Sequence, residues 1–442
     1  MYDDYATRIM SYAPEISGFY PLRPVQVWII DTHFNKANST MMNIAVLLKI
    51  SSEIDMTRLA RAAEEFFNAH DIFRVRFVFH EQTSDLCQRF DGEIAPVTVE
   101  KISDEEFEEQ KKFLMKPYKL IDNPLYRFRL FETPTAKYVY LDFYHAIMDG
   151  MSVAILFHRE MYLRYKGKKN SHQPLKYADY VLNELKVSPE ELETGNEYWR
   201  NILADFDAKK HLPPTDIKSE IKWKSNQVSS PIKNITAKYF SDSTGKDNPE
   251  IFFFAAAMLT ITKFTGAKNS IMSYVHNGRT TPQEMRLTGI MIDQIPVRWD
   301  FSPNERVKNF LDGLEEKFSE GLQHRRSLGT VYREGLEDEC ATFIFQKNFY
   351  TSFDFGDAQL EAVDIPENEF SAAENTLDIE VNQETDGSFY VRLDYDASRY
   401  SEGKMKKFAE TFDEIILQMQ DEERLVSDIL KNFLSPSNES IR

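Results

Sequence analysis

The chain has 442 residues, with 53 Lys+Arg against 71 Asp+Glu and a formal net charge of −18. Its 42% hydrophobic and 13% aromatic content can bury a large core, which excludes global disorder, and its length suggests two or three domains or one large bilobal unit. The acidic balance argues against a nucleic-acid or anionic-membrane partner, because neutralising a phosphate backbone takes clustered Lys and Arg. The nearest cluster, Lys166, Lys168 and Lys169, reads as a solvated turn.

The elements follow in chain order. Asp55 is a suitable N-cap, and Leu59, Ala62, Ala63, Phe66 and Phe67 form one apolar helical stripe behind it. Phe73, Val75, Phe77 and Phe79 alternate with Arg74, Arg76 and Val78, which predicts a strand. Tyr126, Phe128 and Leu130 alternate with arginines in a second strand, and Lys137 to Tyr144 is a third, aromatic one. A helix is expected from near Ser152. The polar stretch Gly167 to Pro174 is the best candidate for the end of a first lobe, and Ser225 to Asn248, which mixes Ser, Lys, Asp and Gly, is expected to contain exposed loops. Beyond it come a buried helix (Ile251 to Lys263), strands at Ser270 to Val275 and Ile290 to Arg298, and a helix from Gly403 to Gln420. These patterns imply an α/β (α+β) chain with lobes at 1–175 and 176–434 and a polar tail or linker start at 435–442.

Cys87 and Cys340 are the only cysteines, so a disulfide framework is implausible, and no Cys/His spacing resembles a zinc site. Reduced, cytoplasmic chemistry is the expectation. The N-terminus lacks the basic start and apolar run of a signal peptide, and the longest apolar run, Ile251 to Thr262, is too short to cross a bilayer. Sequons at Asn38, Asn234 and Asn438 therefore carry little weight. Asp354-Phe355-Gly356 spells a kinase triplet, but no glycine-rich loop or strand lysine precedes it, and no nucleotide, serine-nucleophile or zinc-protease motif occurs.

Of nine histidines, His33, His80, His172 and His211 lie in polar or turn-like contexts that suggest the surface, and His158 reads as structural. His145 differs, since it ends the aromatic strand and Asp149-Gly150 follows within one short turn. Such a loop can present an imidazole into a cleft, and glycine admits a close approach. A satisfied core histidine beside a turn-forming Asp-Gly explains the same letters, and local pattern slightly favours it.

A wider pattern changes that balance. Tyr144-His145-Ala146-Ile147-Met148-Asp149-Gly150-Met151-Ser152 resembles the HHxxxDGxS motif of condensation domains from nonribosomal peptide synthetases. Other segments match that family in its order: Tyr20 to Gln26 (YPLSPxQ), His70 to Phe77 (HxxLRTRF), Tyr118 to Arg127 (FDLxxGPLxR), Tyr177 to Tyr180 (YADY) and Tyr198-Trp199 (YW). Leu212 to Asp216, Gly278-Arg279 with Gly289 to Arg298, Leu377 to Ile379 and Leu393 to Tyr395 continue the series, so the resemblance spans about residues 18 to 430. Three departures stand out: Tyr144 replaces the first histidine, Asp293 the usual Asn, and Arg23 the usual Ser.

The resemblance implies two chloramphenicol-acetyltransferase-like lobes in a V-shaped pseudodimer with a central tunnel. Carrier proteins on the donor and acceptor sides would insert phosphopantetheine arms, and the acceptor's α-amine would attack the donor thioester. It implies no cofactor bound by the domain itself, no metal, an adjacent adenylation domain and a monomer. His145 is the implied catalytic residue, as general base or as a group that orients the amine. Asp149 is expected to pair with a buried arginine, Arg74 first and Arg298 second, with Tyr144 supporting the site. Gly150, Ser152, Asp293 and Gln294 are expected along the phosphopantetheine tunnel, Ser152 as a helix cap or as a donor to the intermediate. Trp199 is expected to pack. Because Met1 lies just upstream of the first matched segment, the chain reads as a starter domain that N-acylates (lipidates) the first amino acid of an antibiotic-type lipopeptide. Two further readings are a free-standing O- or N-acyltransferase using acyl-coenzyme A, and a catalytically silent carrier-docking module. Heterocyclisation and epimerisation fit less well.

Overall fold

Phe128 faces Leu141 and Arg127 faces Asp142 across an antiparallel pair, β5 (Tyr126–Glu132) and β6 (Lys137–Tyr144), closed by the Thr133 amide donating to the Ala136 carbonyl at 2.8 Å. A computed structural model of the chain describes residues 8–35, 39–155, 160–168, 175–207, 210–219, 223–241, 248–329, 331, 340–347, 360–366, 368, 370–373 and 375–431, without the side chains of 154 and 155. His172, His158, the Asp354–Gly356 triplet and the tail 435–442 lie outside these residues.

The chain divides into two compact units. Unit one is Met1–Pro189 with Asn277–Asp293 and Phe349–Ala372, and unit two is Glu190–His276 with Gln294–Asn348 and Ala373–Arg442. This differs from a single boundary at 175/176. The helix after that point, α4 (Tyr177–Glu184), is tied to unit one by Asp71, whose carboxylate accepts from the Tyr177 and Ala178 amides at 2.8 and 3.0 Å. The two later segments return to unit one through contacts that no local pattern announces.

Unit one is built on a sheet of order β11-β1-β6-β5-β4, with β1 (Asn43–Ile50), β4 (Val99–Lys101) and β11 (Leu360–Val363). β6 is buried from Val139 onward, as expected of a central strand. Helix α2 (Met56–Ala69) begins where the Asp55 carboxylate accepts the Thr57 and Arg58 amides. Its apolar stripe is wholly buried, with Phe67 against Tyr126 and Phe128 at ring distances of 5.0 and 5.3 Å. The strand expected over 73–79 starts only at Arg76, as β2 (Arg76–Phe79), paired with β3 (Leu86–Arg89). Asp71–Arg74 is a 3₁₀ turn instead, pinned by the same Asp71 that caps α4. Helix α1 is Pro24–Asn35 and α3 is Gly150–Ile155, which starts two residues earlier than expected.

Unit two carries a sheet of order β7-β13-β12-β10-β8-β9. Its strands are β7 (Ser225–Ile232), β8 (Asn269–His276), β9 (Asp293–Asp300, whose first residue belongs to unit one), β10 (Thr342–Lys347), β12 (Leu377–Gln383) and β13 (Phe389–Asp396). Helix α5 (Pro249–Thr265) is buried at every position from Ile251 to Lys263, because its apolar residues surround the axis. The Asn248 side chain caps it, Pro249 opens it, and Gly266 at φ 68° closes it with an amide bond back to Thr262. Helices α6 (Val307–Gln323) and α7 (Glu402–Met419) flank it. Ser225–Ile232 corrects the loop expectation: it pairs with β13 in the register Val228↔Leu393. Its polar letters and Pro231 fit an edge strand, where one side needs no partner. Trp199 is fully buried and donates to the His324 carbonyl, as a packing residue does.

Three histidines read as surface residues are buried instead. His33 packs edge-on against Tyr144, and His80 lies between Tyr12 and Phe19. His211 stacks on Phe206 and accepts the Ile271 amide at 3.1 Å. Among the described residues no helix is long and apolar enough to cross a membrane, and no three His, Cys, Asp or Glu side chains gather as a metal site.

Candidate active site

β6 delivers the site. Its last residue, Tyr144, donates its amide to Leu125, and the next amide, of His145, donates to the Met42 carbonyl at 2.8 Å. The chain then turns, with the Ile147 amide on the Tyr144 carbonyl, and enters α3 at Gly150. Asp149 caps that helix: its Oδ1 accepts the Ser152 amide at 2.8 Å. From the neighbouring α1, buried Gln26 donates its Nε2 to the Ala146 carbonyl at 2.9 Å, so the residue after His145 is held by a side chain 120 positions away.

Asp149 is fully buried and so is its partner, which is Arg279. The guanidinium grips both carboxylate oxygens, Nη1 on Oδ2 at 2.9 Å and Nη2 on Oδ1 at 3.1 Å. Nη2 also reaches Ser152 Oγ at 2.7 Å and the Leu287 carbonyl at 3.1 Å. Asp149 Oδ2 takes a further bond from the Met291 amide at 2.8 Å. Burial alone would raise the Asp149 carboxyl, but the Arg279 charge and these donors outweigh it and hold the group below the usual carboxylate range. The expected partners are therefore corrected. Arg74 donates to the Gly92 carbonyl and Asn68, and Arg298, in unit two, donates to Asp300 and the Ala204 carbonyl. Neither donates to Asp149, because each guanidinium is taken up by these other acceptors. The clue to Arg279 lay in the Gly278-Arg279 pair: Gly278 has φ 67°, and a Cβ there would stand 1.6 Å from the Met291 carbonyl oxygen.

Ser152 does more than follow a cap. Its Oγ donates to the Gly289 carbonyl at 2.7 Å and accepts the Gly289 amide at 3.0 Å, so it closes on the Leu287–Asp293 segment. Side chains take up the Ile290 carbonyl and the Met291 amide, and β9 begins at Asp293 and not at Ile290. Asp293 is buried and paired with Arg23 at 3.0 Å, while Gln294, also buried, belongs to unit two. Gly150 is partly exposed as the first residue of α3. Tyr144 is buried, with its hydroxyl 3.4 Å from the Ile29 carbonyl and its ring against His33 and Tyr118.

The His145 residue is partly exposed, and its Nδ1, itself buried, has no hydrogen-bond partner among the described residues. Both Asp149 oxygens are occupied, so this acid does not orient the imidazole. The corner is a rigid frame, held by one buried ion pair, around a ring whose own nitrogen is uncommitted.

The family model of the condensation domain matches residues 16–429. The chain belongs to the condensation-domain family. Surfactin synthase subunit 2 of Bacillus subtilis (strain 168) is 23% identical over 332 residues, which is 69% of this chain and 8% of that protein. The domain thus spans a small part of the curated relatives it matches. Among solved structures, the condensation domain from the monacolin K polyketide synthase aligns at TM-score 0.77 and 18% identity, over 92% of this chain and 99% of the other. The starter condensation domain of rhizomide synthetase, in complex with C8-CoA, aligns at TM-score 0.73 and 16% identity, over 94% and 98%. The fold is the mixed α/β, chloramphenicol-acetyltransferase-like fold of such domains. Condensation domains are acyltransferases that form amide bonds; they hold no cofactor, and their substrates ride on the phosphopantetheine of carriers or on coenzyme A.

Proposed function

We propose that this domain forms an amide between a donor acyl thioester and the amine of an aminoacyl thioester on a carrier protein, with His145 as its catalytic residue. The observation that carries the reading is the uncommitted Nδ1 of His145 at the end of β6, on a corner whose acid is already consumed by Arg279. The amine nitrogen attacks the thioester carbonyl carbon, the carbon–sulfur bond breaks, and the nitrogen's proton passes through the imidazole to the departing thiolate. Thioesters are activated, so orienting the two arms can supply much of the rate, and a single proton-transfer group suffices. Asp149 and Arg279 serve as a brace, with Ser152 tying α3 to Gly289. Gly150, beside that brace, would give a phosphopantetheine arm room.

In its finer form the reading is a starter domain that acylates the first amino acid of a lipopeptide, with carriers on both sides and an adenylation domain as neighbour. Likeness to the rhizomide starter domain, solved with C8-CoA, supports this form and also supports coenzyme A as an alternative donor. The test is intact-mass spectrometry of an aminoacyl-loaded carrier incubated with acyl-loaded donor carrier and, separately, with acyl-CoA. A gain of one acyl group, lost in a folded His145→Ala variant, supports condensation and names the donor. Turnover of acyl-CoA onto a free amine or alcohol without any carrier would favour the free-standing acyltransferase. No gain with any donor, despite carrier binding, would favour a docking module.

A further inference from the structure

We propose that Arg23 is a positioning residue for the His145 corner and that it works as one unit with Asp293. The inference rests on the condensation reading of the same site. The Arg23 side chain is 3% exposed, donates from Nη1 to the Ile290 carbonyl at 2.9 Å and from Nη2 to Asp293 Oδ1 at 3.0 Å, and lies 3.9 Å from Glu184 and over the Tyr180 ring. Ile290 also accepts the Tyr177 hydroxyl at 2.7 Å.

The Leu287–Asp293 segment is therefore held from two sides. Gly289 and Met291 are bonded to Ser152 and Asp149, while Ile290 and Asp293 are bonded to Arg23. The two sets of bonds fall on different residues of the segment, so each clamp fixes what the other leaves loose. Arg23 is joined to the imidazole's own loop as well: its amide donates to Gln26 Oε1 at 2.9 Å, and Gln26 Nε2 donates to the Ala146 carbonyl. A continuous path, Asp293–Arg23–Gln26–Ala146, thus ends one residue from His145.

Arg23 and Asp293 are two of the three departures from the resembled pattern, and the fold brings them together across 270 positions. Without Arg23, Asp293 loses the cation that faces it at 3.0 Å, and without Asp293, Arg23 keeps Glu184 at 3.9 Å but loses the nearer carboxylate, whereas Ser with Asn would be neutral. The pair is a coupled exchange of a neutral contact for an ionic one.

The experiment is a double-mutant cycle of Arg23→Ser and Asp293→Asn in the whole domain, read by kcat and KM of carrier acylation and by hydrogen exchange of the Gly289 and Met291 amides. Each single variant is expected to lose about tenfold in kcat with KM for the loaded carrier within about twofold, and to exchange faster at both amides; the double variant regains most of the rate and of the protection. If Arg23→Ser fails to fold, Arg23→Lys keeps the charge but loses the forked grip, and is expected to keep the fold and lose kcat. Losses that multiply in the double variant, or single variants with unchanged kcat and exchange, would overturn the proposal. A folded wild type that forms no amide would sink the condensation reading alone, and the exchange cycle would still decide whether the pair is one unit.

Discussion

In unit one the corner from β6 to α3 runs through His145–Asp149, and in unit two the corner from β13 to α7 runs through Ala397–Ser401. Each contains or follows a buried aspartate that organises the turn. Asp396, 2% exposed, accepts the Lys224 and Ser398 amides at 3.0 and 2.9 Å, and Ser401 then caps α7. Its side-chain partners are neutral backbone groups. Asp149 accepts two amides as well but also holds a full guanidinium from 130 residues away. The second corner is a folding device held by backbone amides, one of them from Lys224, 172 residues away. The first is braced by an ion pair that no turn needs, and it alone of the two carries an imidazole. A buried aspartate at a strand–helix corner is therefore no mark of a site. What sets the first corner apart is a remote cation together with an imidazole whose Nδ1 has no partner among the described residues.

Four measurements bear on that contrast. Replacing His145 by Ala should lower carrier acylation by roughly 10²–10⁴-fold, the usual worth of a proton-transfer group, with an unchanged circular dichroism spectrum. Asp149→Asn should cost about 3–5 kcal/mol in urea unfolding, because Arg279 is left as an uncompensated buried charge. A loss near 1 kcal/mol would mean the brace is no stronger than the corner at Asp396.

His211 supplies a pH test within unit two. Burial first, and then the nearby Arg298 charge, push its imidazole down to about 4, and its Nδ1 must stay unprotonated to accept the Ile271 amide. The folded form thus resists a proton that the unfolded form takes up near 6.5. Stability from this group is complete above about 6.5 and is lost as pH falls toward about 4. A His211→Gln variant should flatten the melting temperature against pH in that window, and an unflattened curve would refute the assignment. The smallest effect is expected for Asp396→Asn, about 1 kcal/mol, since an amide oxygen can still accept from the Lys224 and Ser398 backbone.

Much of the fold was legible before any coordinates. The expected strand Lys137 to Tyr144 is β6 itself, the Asp55-capped stripe is α2, and the helices around Ile251 and Gly403 fall within two residues of α5 and α7. Each of these is written in neighbouring letters, as a 3.6 period where one face is buried, in α2 and α7, or as a continuous apolar run where burial is all round, in α5. His145 stood out for the same reason, as the residue at the end of a strand. Misreadings have an equally physical source. Ser225–Ile232 reads as loop because an edge strand tolerates polar residues, and Phe73 reads as strand because it continues the alternation of Val75 and Phe77, although its 3₁₀ turn buries the consecutive Ile72 and Phe73.

The aspartate's partner was beyond reach of any such period. Arg74 and Arg298 were as plausible from their letters as Arg279, and only the return of Asn277–Asp293 to unit one puts Arg279 against Asp149. The same return pairs Arg23 with Asp293, and packing against distant rings buries His33 and His80. Local order was thus carried by residues close together in the chain, and the family by segments spread over residues 16–429. Which charges meet, and which polar groups lose water, was decided by where a segment more than a hundred residues downstream comes back, since the cost of a buried charge falls only when its counter-charge arrives in space.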